Sequence, residues 1–526
     1  MKKGYLCLVL HAHLPFVRHP EYEDFLEEDW LFEAITETYI PLILMMQKLT
    51  EEDVFWRLTM SITPPLANML SDELLQKRYL RYLSNLENLI KKEIKRTMKI
   101  PQLKPVVEMY KKRFRDCRKV FESCDGNILK IFKEFQEKGF LEIITCTATH
   151  GFLPLMVQKK DQQAQIKIAK RDYEEKFSTK PRGIWLAECG YTEGIDEILK
   201  EEKIRFFFTD THGVLYGRPR PKYAVYAPVY TKEGVAVFAR DVESSMQVWS
   251  AEVGYPGDYR YREFYRDLGF DLPYNYIRPH LHSDGIRRNV GIKYHRITGR
   301  VPLNKKEYYV PQWAQEAALT HARHFMWCRE RQSEWLYSQF EREPVIVCPY
   351  DAELYGHWWF EGPDFLYYLF KELQNSIVEP VSPSQYLKKH PHLQVLEVCP
   401  STWGDKGYNE VWLNGTNDWI YRHLHFCVEK MIESAQNYNS ANPNKIEQRV
   451  LNQMARELLL AESSDWAFIM TTGTTVPYAH KRTKTHTNNF LKLYEMLKKG
   501  KIDENFLKDL EHRNNIFPHI NWRVYA

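Results

Sequence analysis

Short apolar runs, each closing on polar residues, recur along the chain: Tyr5–Leu10, Trp56–Ile62, Leu141–Cys146, Gly183–Ala187, Ile204–Thr209, Val235–Ala239 and Val345–Pro349. Most are nearly continuous and lack an alternating polar face, which predicts strands buried on both sides. Segments rich in Lys, Glu and Leu separate most of them. That alternation predicts an α/β fold, a parallel sheet with crossover helices. Leu10 precedes His11, Ala187 precedes Glu188 and Tyr350 precedes Asp351, so polar groups stand where a barrel gathers its chemistry, at C-terminal strand ends.

Two regions break the alternation. Leu74–Met98 and Val106–Phe121 are long, charged and helical in pattern, and so are Lys445–Glu462 and Asn488–Lys499. The expected division is a catalytic barrel over 1–71 and 136–400, an inserted helical subdomain over 72–135, and a C-terminal helical domain over 401–526. Internal repeats and long Pro/Ser linkers are absent from the sequence, which predicts firmly packed domains.

Composition narrows the class. A chain of 526 residues with 14 Trp, 33 Tyr and 27 Phe is built to bury a large core and is not disordered. A formal net charge of +4 gives no field favouring nucleic acid or an anionic membrane. Met1-Lys2-Lys3 and Tyr5–Leu10 imitate the start of a signal peptide, but the apolar run is too short and lacks a small-residue cleavage site. Nothing approaches the ~18 apolar residues of a membrane helix. The nine cysteines are scattered without a C-x-x-C pair, which argues against a zinc ribbon and predicts a reducing, cytoplasmic setting.

Four constellations could carry chemistry. His11-Ala12-His13 at a strand end puts two imidazoles on one side, either as a metal pair or as neutral hydrogen-bond donors. His150 stands in a similar setting, with no Asp or Glu at recognisable ligand spacing. Trp185-Leu186-Ala187-Glu188-Cys189-Gly190-Tyr191 places a carboxylate among aromatics, where Gly190 allows close backbone approach. Pro349–Pro363 holds Asp351, Glu353 and Glu361 with His357, Trp358, Trp359, Tyr350, Tyr355 and Phe360; aromatic faces beside carboxylates suit pyranose rings. Ser401-Thr402-Trp403-Gly404 and Trp412–Tyr421 carry Trp403, Trp412 and Trp419 among Gly and Asn, which suggests exposed platforms. Two carboxylates with such platforms point to glycoside chemistry, one attacking the anomeric carbon and one protonating the leaving oxygen.

In this order, His11–Pro15, Thr149–Leu153, Trp185–Tyr191, Tyr350–Pro363 and Ser401–Gly404 resemble the sequence regions of glycoside hydrolase family 57. The similarity extends to Tyr22–Ile40, Gln247–Phe270 and Trp412–His425 and covers nearly the whole chain. It resembles most the branch of 1,4-α-glucan branching enzymes and related α-amylases. The resemblance implies an incomplete (β/α)7 TIM-like barrel with an inserted helical subdomain and a C-terminal helical domain. It implies retaining chemistry without cofactor or metal on α-1,4-glucans such as amylose, glycogen or maltooligosaccharides, most simply branching accompanied by hydrolysis. By motif, Glu188 would be the nucleophile and Asp351 the general acid/base. His11, His13 and His150 would bind the sugar, Trp403 and Trp412 would stack on it, and Arg260, Arg262 and Asp465 would contact it. One departure is that branching members carry a flexible loop whose tyrosine helps cover the site. Tyr230–Gly234, with Tyr230 at its start, is short for such a lid and would admit water more freely, raising the hydrolytic share. An α-amylase or 4-α-glucanotransferase is the nearer alternative. A metal-dependent polysaccharide deacetylase and a non-catalytic glucan-binding protein are the alternatives from other classes.

Overall fold

The computed structural model describes residues 2–250 and 253–526; residues 251 and 252, inside the resembling stretch Gln247–Phe270, lie outside the described residues. Its strands are β1 (Gly4–Ala12), β2 (Leu58–Ile62), β3 (Leu141–Cys146), β4 (Gly183–Trp185), β5 (Phe206–Thr209), β6 (Val229–Tyr230), β7 (Ala236–Ala239), β8 (Val345–Asp351) and β9 (Val378–Pro380). Seven of them run parallel in the order β7-β5-β4-β3-β2-β1-β8. Every position of β1 is buried, as expected where helices cover one face and the barrel interior the other. Among the described residues the curled sheet does not close by a ladder. At the seam the Asp241 N–H donates to the Val347 carbonyl at 2.9 Å, so the barrel is an incomplete (β/α)7, the fold class implied by the sequence. Two short strands sit at its margins, β6 antiparallel to β7 and β9 alongside the start of β1.

Between β2 and β3 the chain is helical over Glu73–Arg96, Lys104–Ser123 and Leu129–Glu137. After β9 come Tyr421–Ala441, Lys445–Ala461, Ser464–Thr472, Val476–Lys499 and Glu504–Arg513. These C-terminal helices are tied into the barrel beside His150. The Ser464 N–H donates to the His150 carbonyl at 3.0 Å, Gly151 forms a β-bridge with Ser463, and the Thr149 hydroxyl donates to the Leu459 carbonyl. The start of the helix Ser464–Thr472 is thereby delivered to the C-terminal ends of β1, β3 and β4. Among the described residues no helix is long and apolar enough to cross a membrane.

Candidate active site

Strand register assembles the first layer. Along β1, His11 lies opposite Ser61 of β2 and opposite Asp351 of β8. His13 follows β1, His150 follows β3 and Glu188 follows β4, so residues far apart in sequence meet at one end of the barrel. Glu188 and Cys189 both adopt left-handed backbone angles (φ 60° and 51°), as does His150 (φ 58°). Each such non-glycine residue costs about 1–3 kcal/mol and persists only where its surroundings enforce it. Here the Cys189 N–H donates to the Leu186 carbonyl, the Gly190 N–H to Ala187, and the Trp403 N–H to the Glu188 carbonyl at 3.0 Å. A Cβ on Gly190 would fall 2.6 Å from the Phe152 ring, the close approach that the glycine permits.

The Glu188 carboxylate is held at both oxygens. Trp403 Nε1–H donates to Oε2 at 2.9 Å, and the Ser464 hydroxyl donates to Oε1 at 2.9 Å. Burial nevertheless pushes its pKa up to about 7; the two donors oppose that rise, while Asp465 and Asp351 add to it. Solvent reaches Asp351 at the end of β8, yet the surrounding protein desolvates its carboxyl and raises it to about 6 against the pull of His13 and Arg240. Glu353 is also pushed up to about 7 by burial. It accepts from the Tyr39 hydroxyl at 2.5 Å and the His13 N–H at 3.2 Å, which ties the loop after β8 to β1.

The three histidines come together as a stack, His13 over His150 with ring centres 3.8 Å apart and planes inclined by 13°. Their ring nitrogens face protein groups. His11 reaches Ser61 (3.2 Å) and His150 (3.0 Å), His150 also reaches Ser464 (2.8 Å), and His13 reaches Thr63 (2.9 Å) and both oxygens of Asp465. Burial works against charge on His13, but Asp465 raises its pKa above the ordinary value. Burial, with the neighbouring imidazoles, holds His11 and His150 well below theirs. Burial likewise opposes the Asp465 charge, yet His13 holds that carboxyl well below the usual range. His13 is therefore the cation of the stack and Asp465 its anion.

The expectation that no carboxylate accompanies these histidines is corrected: Asp465, from the C-terminal helices, lies with His13 and His150 within 4.8 Å. The three do not converge as ligands. Lone pairs lie in ring planes, and rings stacked face to face, with centres 3.8 Å apart and planes inclined by only 13°, do not aim theirs at one ion at the ~2.0–2.1 Å of a zinc–imidazole bond.

Other expectations fall differently. Trp403 is half-buried and edge-on to Trp185 at 4.9 Å, so its indole serves Glu188 directly. Trp412 is only 1% exposed, stacked on Phe152 at 4.5 Å with its ring against Gly404. It offers no open face for a sugar and instead backs the Trp403 loop. Arg262, 3% exposed, pairs with Glu37 at 2.9 Å and donates to the His357 carbonyl. Arg260 forms two hydrogen bonds to Asp258. Both guanidiniums are engaged by protein. Tyr230 lies elsewhere. It pairs with Ala236 at the start of β7, the barrel end opposite Glu188 and Asp351. The parallel pattern already carried this signal, since a residue preceding such a strand lies at its N-terminal end. Sequence reasoning missed Ser464, Ser61 and Thr63, which sit in no recognisable motif, and Tyr39, which lies unmarked within the resembling stretch Tyr22–Ile40.

With the geometry in hand, comparison with known proteins is specific. The model of glycosyl hydrolase family 57 matches residues 7–337, and that of the 1,4-alpha-glucan branching enzyme C-terminal domain matches 423–525. A 1,4-alpha-glucan branching enzyme of Thermococcus kodakarensis is 34% identical over 98% of this chain and 77% of its own length. The alpha-amylase AmyC from Thermotoga maritima superimposes with a TM-score of 0.94 at 49% identity, covering 100% of this chain and 99% of that one. The branching enzyme of Pyrococcus horikoshii gives 0.90 at 35% identity, covering 100% and 97%.

Proposed function

The chain belongs to glycosyl hydrolase family 57, and from that premise we propose that it is a retaining 1,4-α-glucan branching enzyme in which Glu188 is the nucleophile and Asp351 the general acid/base. The observation that carries this reading is the unequal pair of carboxyls at the ends of β4 and β8. Glu188 has a donor on each oxygen, which suits a carboxylate. Asp351 is reached by solvent and desolvated, which suits a group that holds and releases a proton.

In the first step a Glu188 oxygen bonds to the anomeric carbon as the α-1,4 bond breaks, and Asp351 gives its proton to the departing 4-oxygen. The glycosyl ester keeps the donor chain while the new non-reducing end leaves. In the second step Asp351 takes the proton from an acceptor hydroxyl, whose oxygen attacks the anomeric carbon and frees Glu188. A glucan 6-hydroxyl makes a branch, and water gives hydrolysis. The C-terminal match supports branching; the similarity to a protein described as an alpha-amylase supports a hydrolytic share. Amylose, glycogen and maltooligosaccharides are the substrates this reading names. The domain division at 71/72, 135/136 and 400/401 goes with it, and cysteines that are all unpaired support a reducing cytoplasm.

The test is incubation with amylose, counting α-1,6 linkages by proton NMR and new reducing ends in parallel. Both signals are expected. Reducing ends without any α-1,6 signal would make the protein an amylase.

A further inference from the structure

The buried contacts behind Glu188 form one unbranched line: Ser61 Oγ to His11 Nδ1 (3.2 Å), His11 Nε2 to His150 Nε2 (3.0 Å), His150 Nδ1 to Ser464 Oγ (2.8 Å) and Ser464 Oγ to Glu188 Oε1 (2.9 Å). Proton count fixes its direction. An ionised Glu188 only accepts, so the single Ser464 proton points to it and the Ser464 oxygen accepts from His150 Nδ1–H. His150 is neutral, so its Nε2 is bare and accepts from His11 Nε2–H. His11 is neutral as well, so its Nδ1 accepts from the Ser61 hydroxyl. Ser61 is 0%, His11 2%, His150 3% and Ser464 3% exposed, so water does not compete at any link.

We propose that Ser464 is a positioning residue for the nucleophile, and that the directional line Ser61–His11–His150–Ser464 keeps its hydroxyl aimed as a donor at Glu188. This rests on Glu188 being the nucleophile. It gives His11 and His150 work other than touching sugar: two adjacent neutral imidazoles locked in opposite tautomers. Without that lock, His150 Nδ1 could itself accept the Ser464 proton, and Glu188 would lose one of its two donors. The charged or titratable groups facing Glu188 are His150 (3.7 Å), Asp465 and Asp351, His13, Cys189 and, from β3, Cys146. Asp465 and Asp351 add to the rise that burial imposes on Glu188, so the two donors, the Trp403 indole N–H and the Ser464 hydroxyl, are what oppose it.

The experiment compares kcat/KM against pH on maltoheptaose for wild type, Ser464→Ala, Ser464→Thr, Ser61→Ala and the Ser61→Ala/Ser464→Ala double variant. Ser464→Ala is expected to lose roughly 10- to 100-fold and to shift the bell-shaped profile, whose limbs belong to the Glu188–Asp351 pair, upward in pH. Ser464→Thr, which keeps the hydroxyl, should regain most of this. Ser61→Ala should shift the profile in the same direction from four hydrogen bonds away, and the double variant should be no worse than Ser464→Ala, as members of one unit are not additive. In 15N-histidine-labelled protein, His11 should carry its proton on Nε2 and His150 on Nδ1. An unmoved pH profile in Ser61→Ala, additive losses, or matching tautomers would overturn the proposal. Should Ser464→Ala fail to fold, Ser464→Thr, Ser61→Ala and the tautomers still decide. Glu188→Gln is the separate control: if it keeps turnover, the nucleophile assignment fails, whatever the line of hydrogen bonds does.

Discussion

Trp403 grips Glu188 at both ends: its backbone N–H donates to the Glu188 carbonyl at 3.0 Å and its indole N–H to the Glu188 carboxylate at 2.9 Å. The first bond helps enforce a left-handed main chain, and the second fixes where the carboxylate points. One side chain thus couples the loop after β9 to the end of β4.

That relationship separates two roles for the indole. Trp403→Phe keeps an aromatic face and removes only the donor. It should lower kcat/KM by about 10- to 100-fold, as expected for a hydrogen bond to a charged group, while leaving the ratio of α-1,6 linkages to new reducing ends unchanged. A changed ratio with kcat/KM preserved would make Trp403 an acceptor-side platform instead.

Glu188→Gln should abolish turnover with the fold intact by circular dichroism. Glu188→Ala in azide should regain bond cleavage and yield a β-linked glycosyl azide, because the anion then attacks from the vacated face. In a crystal structure the Glu188 and Asp351 carboxyls should stand about 5–5.5 Å apart; a spacing of ~6.5–9.5 Å would mean inversion.

The pH dependence has a definite sign. Burial raises Glu188 to about 7 and Asp351 to about 6, so the bell-shaped kcat/KM profile should centre near neutrality, with limbs that belong to the pair. Ionisation of these buried carboxyls is resisted in the folded protein and free in the unfolded chain. Stability should therefore fall as pH rises from the unfolded value near 4 through about 6 to 7, because the folded state binds more protons there. Glu188→Gln should have a higher Tm than wild type at pH 8, and the difference should vanish near pH 4.

Chelation should leave activity unchanged. The stacked rings of His13 and His150 cannot share an ion, and His13 is committed to Asp465 as a cation. Loss of activity in EDTA or phenanthroline, restored by a stoichiometric metal, would revive the deacetylase alternative.

Arg262 distinguishes support from substrate contact. Arg262→Met breaks the buried pair with Glu37 and should destabilise the protein by about 3–5 kcal/mol, read as a lower denaturation midpoint. KM of the fraction that remains folded should stay near wild type; a selective rise in KM would restore the substrate role.

The sequence by itself determined the frame. Continuous apolar runs set the parallel strands, and the residues following β1, β3, β4 and within the end of β8 were legible as site residues because a parallel barrel leaves no other place for polar groups that strands deliver. His11, His13, His150, Glu188 and Asp351 follow from that local logic. Tertiary structure decided what these groups are. Ser464 lies 276 residues from Glu188, at the start of a helix with no marking motif, and only the docking of the C-terminal helices turns its hydroxyl into a donor. Asp465 becomes the anion for His13 by the same docking. Trp412 reads as a loop tryptophan, yet Phe152 and Gly404 close over it, while Trp403 nine residues earlier stays at the cleft. Hydrophobic period is a property of neighbours in the chain. Desolvation, charge pairing and the direction of a hydrogen bond depend on groups that folding alone brings within about 3 Å, and these set the protonation of Glu188 and Asp351.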